Sequence, residues 1–182
     1  SSAASDVYKR QLLELLVVMA IIVIVSTITA VGLNVLAEGN AKKANKTMYS
    51  KISELRTTTM SKSGEWYMVI SCQDNTYKLE THHVANGEDN IKDTSKFSAS
   101  RISLNYYNGD SSTGYDLKNN SLKIQFNKND GSCKSVTIND TEKFITENLD
   151  APQFGKIVAS VSRNNTYESK LWYKTGRVTT QN

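Results

Sequence analysis

A single carboxylate stands at the head of the most apolar part of the chain. Glu14 follows Leu12 and Leu13 and precedes Leu15–Val25, which reads LLVVMAIIVIV and has no polar side chain. A carboxylate costs about 2.5–3.5 kcal/mol at the centre of a membrane-spanning helix, and less near its end. Glu14 is therefore predicted to need a charged partner. The alternative is that Glu14 sits at the level of the lipid headgroups, for which its side chain is short.

Few other residues could do chemistry. His82 and His83 are adjacent, so on a strand they would point to opposite faces and could not bind one metal ion together. Cys72 and Cys133 could form a disulfide if this region is exported, or they could be two unrelated buried thiols. The sequence contains no nucleophile motif, phosphate-binding loop or paired acidic motif. It predicts a protein that is not an enzyme and uses no metal or cofactor.

Composition gives little support to a dedicated nucleic-acid binder. The 182 residues carry a net charge of +4, and the basic residues are scattered rather than clustered in one stripe. Much of the apolar content lies in Leu12–Leu36, whereas the remainder is rich in Asn, Lys, Ser and Thr. The length fits one domain plus a tail.

The apolar block is long enough to cross a membrane. As a helix, Leu12–Leu36 would measure about 37 Å at ~1.5 Å per residue. No small-residue cleavage site of the kind that ends a signal peptide follows the block, so a retained helix is predicted. Lys9 and Arg10 precede it, which favours a cytoplasmic N-terminus and an exported remainder, a bias that the lysines beyond the span weaken.

The helix is predicted to continue outward to about Met60. A stripe of apolar or small residues recurs every three or four positions among charged ones, and Ser63–Gly64 supplies a stop. The stripe comprises Ala41, Ala44, Met48, Ile52, Leu55 and Thr59. One apolar face must pack on another part of the protein.

Strand patterns follow the helix. Seven segments have the composition and turn signals expected of strands: 65–72, 75–83, 100–107, 121–127, 132–139, 156–163 and 167–174. Val84–Ala99 and Asn108–Asn120 are predicted to be irregular, and Thr141–Leu149 could be helix or strand. The prediction is an α+β protein with a long helix, transmembrane and then amphipathic, packed on an antiparallel β-sheet. Three parts are expected. Residues 1–11 would be a leader region, residues 12–36 the membrane-spanning half of the helix, and residues 37–182 an exported domain.

The block Leu12–Ile22 resembles the N-terminal signature of type IV pilins and type II secretion pseudopilins. Glu14 falls on the glutamate of that signature, framed by leucines. Ser121–Gly131 and Tyr167–Val178 resemble the late strands of the GspH/FimT-type minor pseudopilins. The resemblance implies a pilin-like fold over the whole chain.

The resemblance also implies an assembly mechanism. Glu14 would pair with the N-terminal amine of a neighbouring mature subunit, and the leucines around it would pack between helices: Leu12, Leu13, Leu15 and Leu16. A prepilin peptidase, other pilin or pseudopilin subunits and the cell membrane would be the partners. Lys9 and Arg10 stand where the family has Gly and Phe at the cleaved bond. The peptidase is therefore expected not to cut this junction, and Ser1–Gln11 is expected to be non-native.

Three functions follow as hypotheses. The first is a structural subunit of a type IV pilus, a type II secretion system or a competence pseudopilus, with its globular domain in the periplasm or outside the cell. The second is a DNA-uptake pilin, because Gly176–Arg177 matches a Gly-Arg tail that binds DNA in some relatives, although Thr179 replaces the second arginine of that tail. The third is a membrane-tethered surface protein with no filament role, in which Glu14 would be dispensable.

Overall fold

A computed structural model describes residues 2–145, 152–162 and 165–181, with the backbone alone for residues 2–6, 28–34 and 162. The chain divides into two compact units, which meet in sequence between Glu38 and Gly39.

The described residues form one helix and eleven strands. In chain order they are α1 (Ser2–Ser61), β1 (Glu65–Gln73), β2 (Thr76–Ala85), β3 (Glu88–Ser98), β4 (Ser103–Asn108), β5 (Tyr115–Asp116), β6 (Leu122–Phe126), β7 (Cys133–Ile138), β8 (Glu142–Lys143), β9 (Phe154–Ser162), β10 (Asn165–Trp172) and β11 (Val178–Gln181).

The first unit consists of the N-terminal part of α1. Within it, Val7–Thr27 is long and apolar enough to cross a membrane, with a mean hydropathy of 2.0 and none of that window buried in the protein. Among the described residues the helix begins at Ser2 rather than near Leu12, so the residues before Leu12 share its helical backbone.

The second unit begins with the rest of α1, which has the predicted buried stripe. Ala41, Met48 and Ile52 are completely buried, and Leu55 is 1% exposed. The helix ends at Ser61, close to the predicted stop, and Gly64 follows with a φ of +84°. The amphipathic half of the predicted helix is confirmed.

Two antiparallel sheets complete the second unit. One has the strand order β3-β2-β1-β6-β7-β8, and the other has the order β11-β10-β9-β4-β5. Alternate residues of β1 and β6 are buried, so each strand turns one face to the core. Buried residues of α1 and of both sheets form one hydrophobic cluster. The predicted α+β class, with a helix packed on antiparallel sheet, is confirmed.

The longest strand, β3, was missed by the sequence analysis. The prediction that Val84–Ala99 is irregular is wrong, because β2 runs to Ala85 and β3 pairs with it along its whole length. The reversal occurs at Asn86–Gly87, whose φ angles of 55° and 83° are both positive. Positive φ at both central residues is the geometry of a two-residue hairpin turn that Asn-Gly favours.

The remaining differences are local. Within Asn108–Asn120 only the two-residue β5 is regular, and β11 at the C-terminal end was not predicted. In Thr141–Leu149, the structure places the short strand β8, while residues 146–149 lie outside the described part of the chain.

The helix and the two sheets meet where the backbone at Gly131 and the backbone at Gly176 come close together beside the Arg56 side chain. The Arg56 side chain donates from Nε to the Gly131 carbonyl oxygen at 2.9 Å. Gly176 approaches the same carbonyl so closely that a Cβ atom on it would lie 1.8 Å from the oxygen, and its φ is +62°. The backbone N–H of Cys133 donates to the Tyr173 carbonyl at 2.8 Å, which links β7 to the segment after β10. Gly176 therefore has a packing role that excludes any side chain.

Candidate functional site

Glu14 lies on the exposed apolar helix of the first unit. Its side chain is 67% exposed and accepts a hydrogen bond from Arg10 Nε at 3.3 Å, one helical turn earlier. The four leucines around it are between 51% and 69% exposed: Leu12, Leu13, Leu15 and Leu16. Lys9 is also exposed on this helix. The carboxylate is thus surrounded by uncovered apolar side chains, with a single described partner on its own helix.

The two hydroxyl groups at the far end of the span are satisfied by the helix itself. Ser26 Oγ donates to the Ile22 carbonyl at 2.7 Å, and Thr27 Oγ1 donates to the Ile24 carbonyl at 2.8 Å. Side-chain hydroxyls that bond to backbone carbonyls of the preceding turn can enter an apolar environment without an orphaned donor. Within Leu12–Thr27, Glu14 is therefore the polar side chain that is not satisfied by the backbone of its own helix.

Of the two alternatives for Cys72 and Cys133, the structure shows two free thiols rather than a disulfide. Cys133 pairs with Phe126 in the β6–β7 ladder, and Tyr67 of β1 lies opposite Gln125. Cys133 is therefore at the level of Trp66, although it lies on β7, two strands away from β1. Cys72 is six residues from Trp66 along β1, which is about 20 Å at ~3.3 Å per residue. A disulfide needs its two Cα atoms within about 7 Å. Burial raises the pKa of the Cys133 thiol to about 12, which keeps it protonated.

The two histidines occupy separate stacked pairs. His83 stacks on Trp66 with ring centroids 4.1 Å apart, and His82 stacks on Tyr67 at 4.6 Å. Within the described residues, no group of three or more His, Cys, Asp or Glu side chains could hold a metal ion.

A polar network that the sequence analysis did not identify surrounds His82. Asp89 accepts hydrogen bonds from the Tyr67 hydroxyl and contacts His82 Nδ1 at 3.1 Å. Burial, and then the bond to Asp89, raises the pKa of Tyr67 to about 12. The same Tyr67 bond, with His82, lowers the pKa of Asp89. The Asn86–Gly87 hairpin could have indicated this proximity, because it places Asp89 beside the end of β2.

Arg177 lies at one side of a groove of about 600 Å³ near the β10–β11 turn. The groove is lined by Gln153, Trp172, Lys174, Thr175, Arg177 and Thr179. Trp172 is 38% exposed, and Lys170 Nζ lies 5.6 Å from the centroid of its ring. Neither Lys174 nor Arg177 forms an ion pair with a residue of the described ranges. The arrangement offers two cations beside an aromatic side chain.

No known protein-family model, no curated protein and no solved structure matches this chain.

Proposed function

We propose that this chain is a membrane-anchored structural subunit that assembles with other subunits through its N-terminal helix, as type IV pilins and pseudopilins do. The observation that supports the proposal most strongly is Glu14, a lone carboxylate among exposed leucines at the head of an apolar helix. The globular unit would be exported and would contact neighbouring subunits or cargo.

The uncovered helix needs an apolar environment. The large apolar side chains from Leu12 to Val25 are between 46% and 69% exposed. Leaving such side chains in water costs roughly 1.5–3 kcal/mol each relative to full burial. A lipid bilayer would cover them before assembly, and the helices of other subunits would cover them afterwards.

Glu14 then acts as a device that sets the register between helices. Its pair with Arg10 is exposed on both sides, so it contributes little and is free to exchange partners. Inside a bundle of apolar helices, an unpaired carboxylate is strongly penalised, whereas one beside a cation is not. The resemblance to pilins supplies the N-terminal amine of a neighbouring subunit as that cation. Registers that leave the charge unpaired would be disfavoured.

The test compares two glutamates of the same helix. Chains in which a cleavable prepilin leader replaces Ser1–Gln11, so that a prepilin peptidase frees an amine ahead of Leu12, carry two different tags and are expressed together in membranes. Co-purification in mild detergent measures their association. Glu14→Gln is expected to reduce co-purification at least tenfold, because each subunit loses the charge that fixes the register. The matched change Glu54→Gln, which removes an exposed carboxylate paired with Lys51, is expected to leave association unchanged.

Membrane retention of both variants is measured in parallel by extraction at alkaline pH. If Glu14→Gln stays in the membrane and associates like the unsubstituted chain, the assembly role is refuted. The protein would then be a membrane-tethered surface protein.

The groove at Arg177 favours a second candidate function, the binding of DNA by the exported unit. Aromatic side chains beside cations can stack bases and contact phosphates, and Trp172, Lys174 and Arg177 line one groove. Arg177→Gln would weaken binding of a single-stranded oligonucleotide and lower the salt slope of the affinity by about 0.7. Lys118→Gln, at an exposed position outside the groove, is the control. Equal salt slopes for the two variants would remove this candidate.

A further inference from the structure

The strand β3 leaves one long edge of a sheet open. It is 11 residues long, and among the described strands it pairs only with β2. An open edge presents unpaired backbone N–H and C=O groups, which are a template for another strand. Ile91 on this edge is 54% exposed, although it is a large apolar residue.

The charged residues of β3 are of both signs. Glu88 and Asp89 lie at its first end, Lys92 and Asp93 are adjacent in the middle, and Lys96 lies towards its other end. Lys92 and Lys96 form no ion pair with any residue in the described part of the chain. The point midway between Lys92 and Asp93 relates these charges in pairs. Lys92 and Asp93 are equally far from this point along the strand, and so are Lys96 and Asp89.

A bulge decides which of these side chains share a face. Thr81 of β2 lies opposite Asp93 and His82 lies opposite Ile91, so Lys92 is the extra residue. Asp93 contacts Lys51 of α1 at 3.0 Å, which places it on the helix side. Because the side-chain alternation is interrupted at Lys92, the residues at 89 and 91 share the outer face with those at 94 and 96.

We propose that two copies of this chain pair edge to edge through β3, antiparallel, with the twofold axis between Lys92 and Asp93. In this register, Asp89 faces Lys96 of the second copy and Ile91 faces Thr94 of the second copy, all on the outer face. Lys92 faces Asp93 of the second copy on the helix side. An antiparallel pair must place residues of the same face opposite each other, and the bulge makes this register satisfy that condition.

Neighbouring registers lack this match. If each copy is shifted by one residue, Asp89 faces Thr94 of the second copy for one direction of the shift and Ser98 for the other. Neither shifted register places an acidic residue of the second copy opposite Lys96. A twofold contact is self-complementary, so each favourable charge pair occurs twice. The pairing does not rest on the proposed assembly through Glu14, because it uses residues of the second unit alone.

Charges and bulges on an edge strand also prevent association in many sheets. A protective edge needs only charge, whereas the β3 edge carries charges whose signs match those of its own copy in one register. The two roles differ in their outcome, because a protective edge predicts a monomer and a pairing edge predicts a dimer.

The first test is cross-linking of the full-length chain in detergent, in a background of Cys72→Ala and Cys133→Ala. Ile91→Cys with Thr94→Cys is expected to give a disulfide-linked dimer on mild oxidation, because the two positions face each other across the axis. Within one chain they are about 10 Å apart at ~3.3 Å per residue, too far to link. The matched control is Ile91→Cys with Ser98→Cys, on the same face but displaced along the strand.

The second test changes charge. Lys96→Asp is expected to raise the dimer dissociation constant, measured by sedimentation, about tenfold, because two attractive cross-strand pairs become repulsive. Adding Asp89→Lys to the same chain is expected to restore pairing, whereas Lys118→Asp alone is expected to change nothing. A monomer at all accessible concentrations, equal cross-linking by both cysteine pairs, or no restoration by the double charge exchange would each overturn the proposal.

Discussion

Two parts of the same helix have opposite surroundings. Leu16, in the first unit, is 69% exposed, whereas Leu55, in the second unit, is 1% exposed. Both are leucines in regular helix, so neither residue type nor local backbone explains the difference. The second part is covered by the sheets of its own chain, whereas the apolar side chains of the first part are uncovered.

Polar groups show the same contrast. Asn45 is 3% exposed and accepts a hydrogen bond from Ser169 Oγ at 2.6 Å, so its burial is compensated within the chain. Glu14, by contrast, is paired among the described residues with Arg10, and both side chains are mostly exposed. The burial of a polar side chain is thus compensated in the second unit, whereas the charge of Glu14 stays at the surface of its helix.

The largest expected effect sets Leu55→Ala against Leu16→Ala. Leu55→Ala should lower the free energy of unfolding by about 2–5 kcal/mol, because it opens a cavity in the core. Leu16→Ala should change it by less than about 0.5 kcal/mol. Denaturant unfolding followed by tryptophan fluorescence checks this, since both tryptophans, Trp66 and Trp172, belong to the second unit. Equal losses would contradict the contrast between the two parts.

A smaller effect is expected on membrane insertion. Ile21→Lys places a charge within the exposed apolar span and should cost about 2.5–3.5 kcal/mol of insertion free energy. Met60→Lys, at an exposed position of the same helix in the second unit, should leave insertion unchanged. The fraction of chain that resists alkaline extraction is the measurement. Insertion that is insensitive to Ile21→Lys would mean that this segment does not enter a bilayer.

The smallest effect concerns the network at Asp89. Its pKa is lowered from the ordinary value of 3.8 by the hydrogen bond from Tyr67 and the contact with His82. A carboxyl with a lowered folded-state pKa adds stability above its unfolded pKa and loses it as the pH falls through the folded pKa. Asp89→Asn should therefore reduce the unfolding midpoint slightly at pH 7, and the difference from the unsubstituted chain should shrink below pH 3.8.

The matched control for this network is Asp74→Asn. Asp74 lies in a hairpin turn with a φ of 49°, which asparagine tolerates. Unfolding midpoints measured across the acid range should coincide for this variant and the unsubstituted chain. A constant difference between Asp89→Asn and the unsubstituted chain at every pH would show that the network contributes through shape rather than charge.

The predictable parts of the fold were those with strong periodicity. The stripe from Ala41 to Leu55 repeats at helical spacing, β6 alternates between apolar and polar residues, and β1 is a short run rich in aromatic and β-branched residues, so these elements were predicted closely. The strand β3 lacks such a pattern, because neither of its faces is deeply buried. Its existence depends on the Asn86–Gly87 turn and on pairing with β2, and the turn was the available signal.

The candidate site was only partly predictable. Glu14 stood out because one charge interrupts an apolar run, and the structure shows it exposed among leucines. The choice between a disulfide and two free thiols at Cys72 and Cys133 was left open, because spacing in sequence carries no information about the register between β1 and β7. Gly176 was matched to a tail motif, whereas the close Gly131 carbonyl already requires a glycine at that position.

The order of the second sheet also sets the timing of folding. Its central strand, β9, lies between β10 and β4, and β4 precedes it in the chain by about 50 residues. The buried faces of Leu104 and Tyr106 therefore remain without their neighbours until the last thirty or so residues have emerged. The globular unit can therefore close only when β9 and β10, close to the C-terminal end of the sequence, are available for pairing. A cell would have to protect β1–β7 from misassociation during that interval.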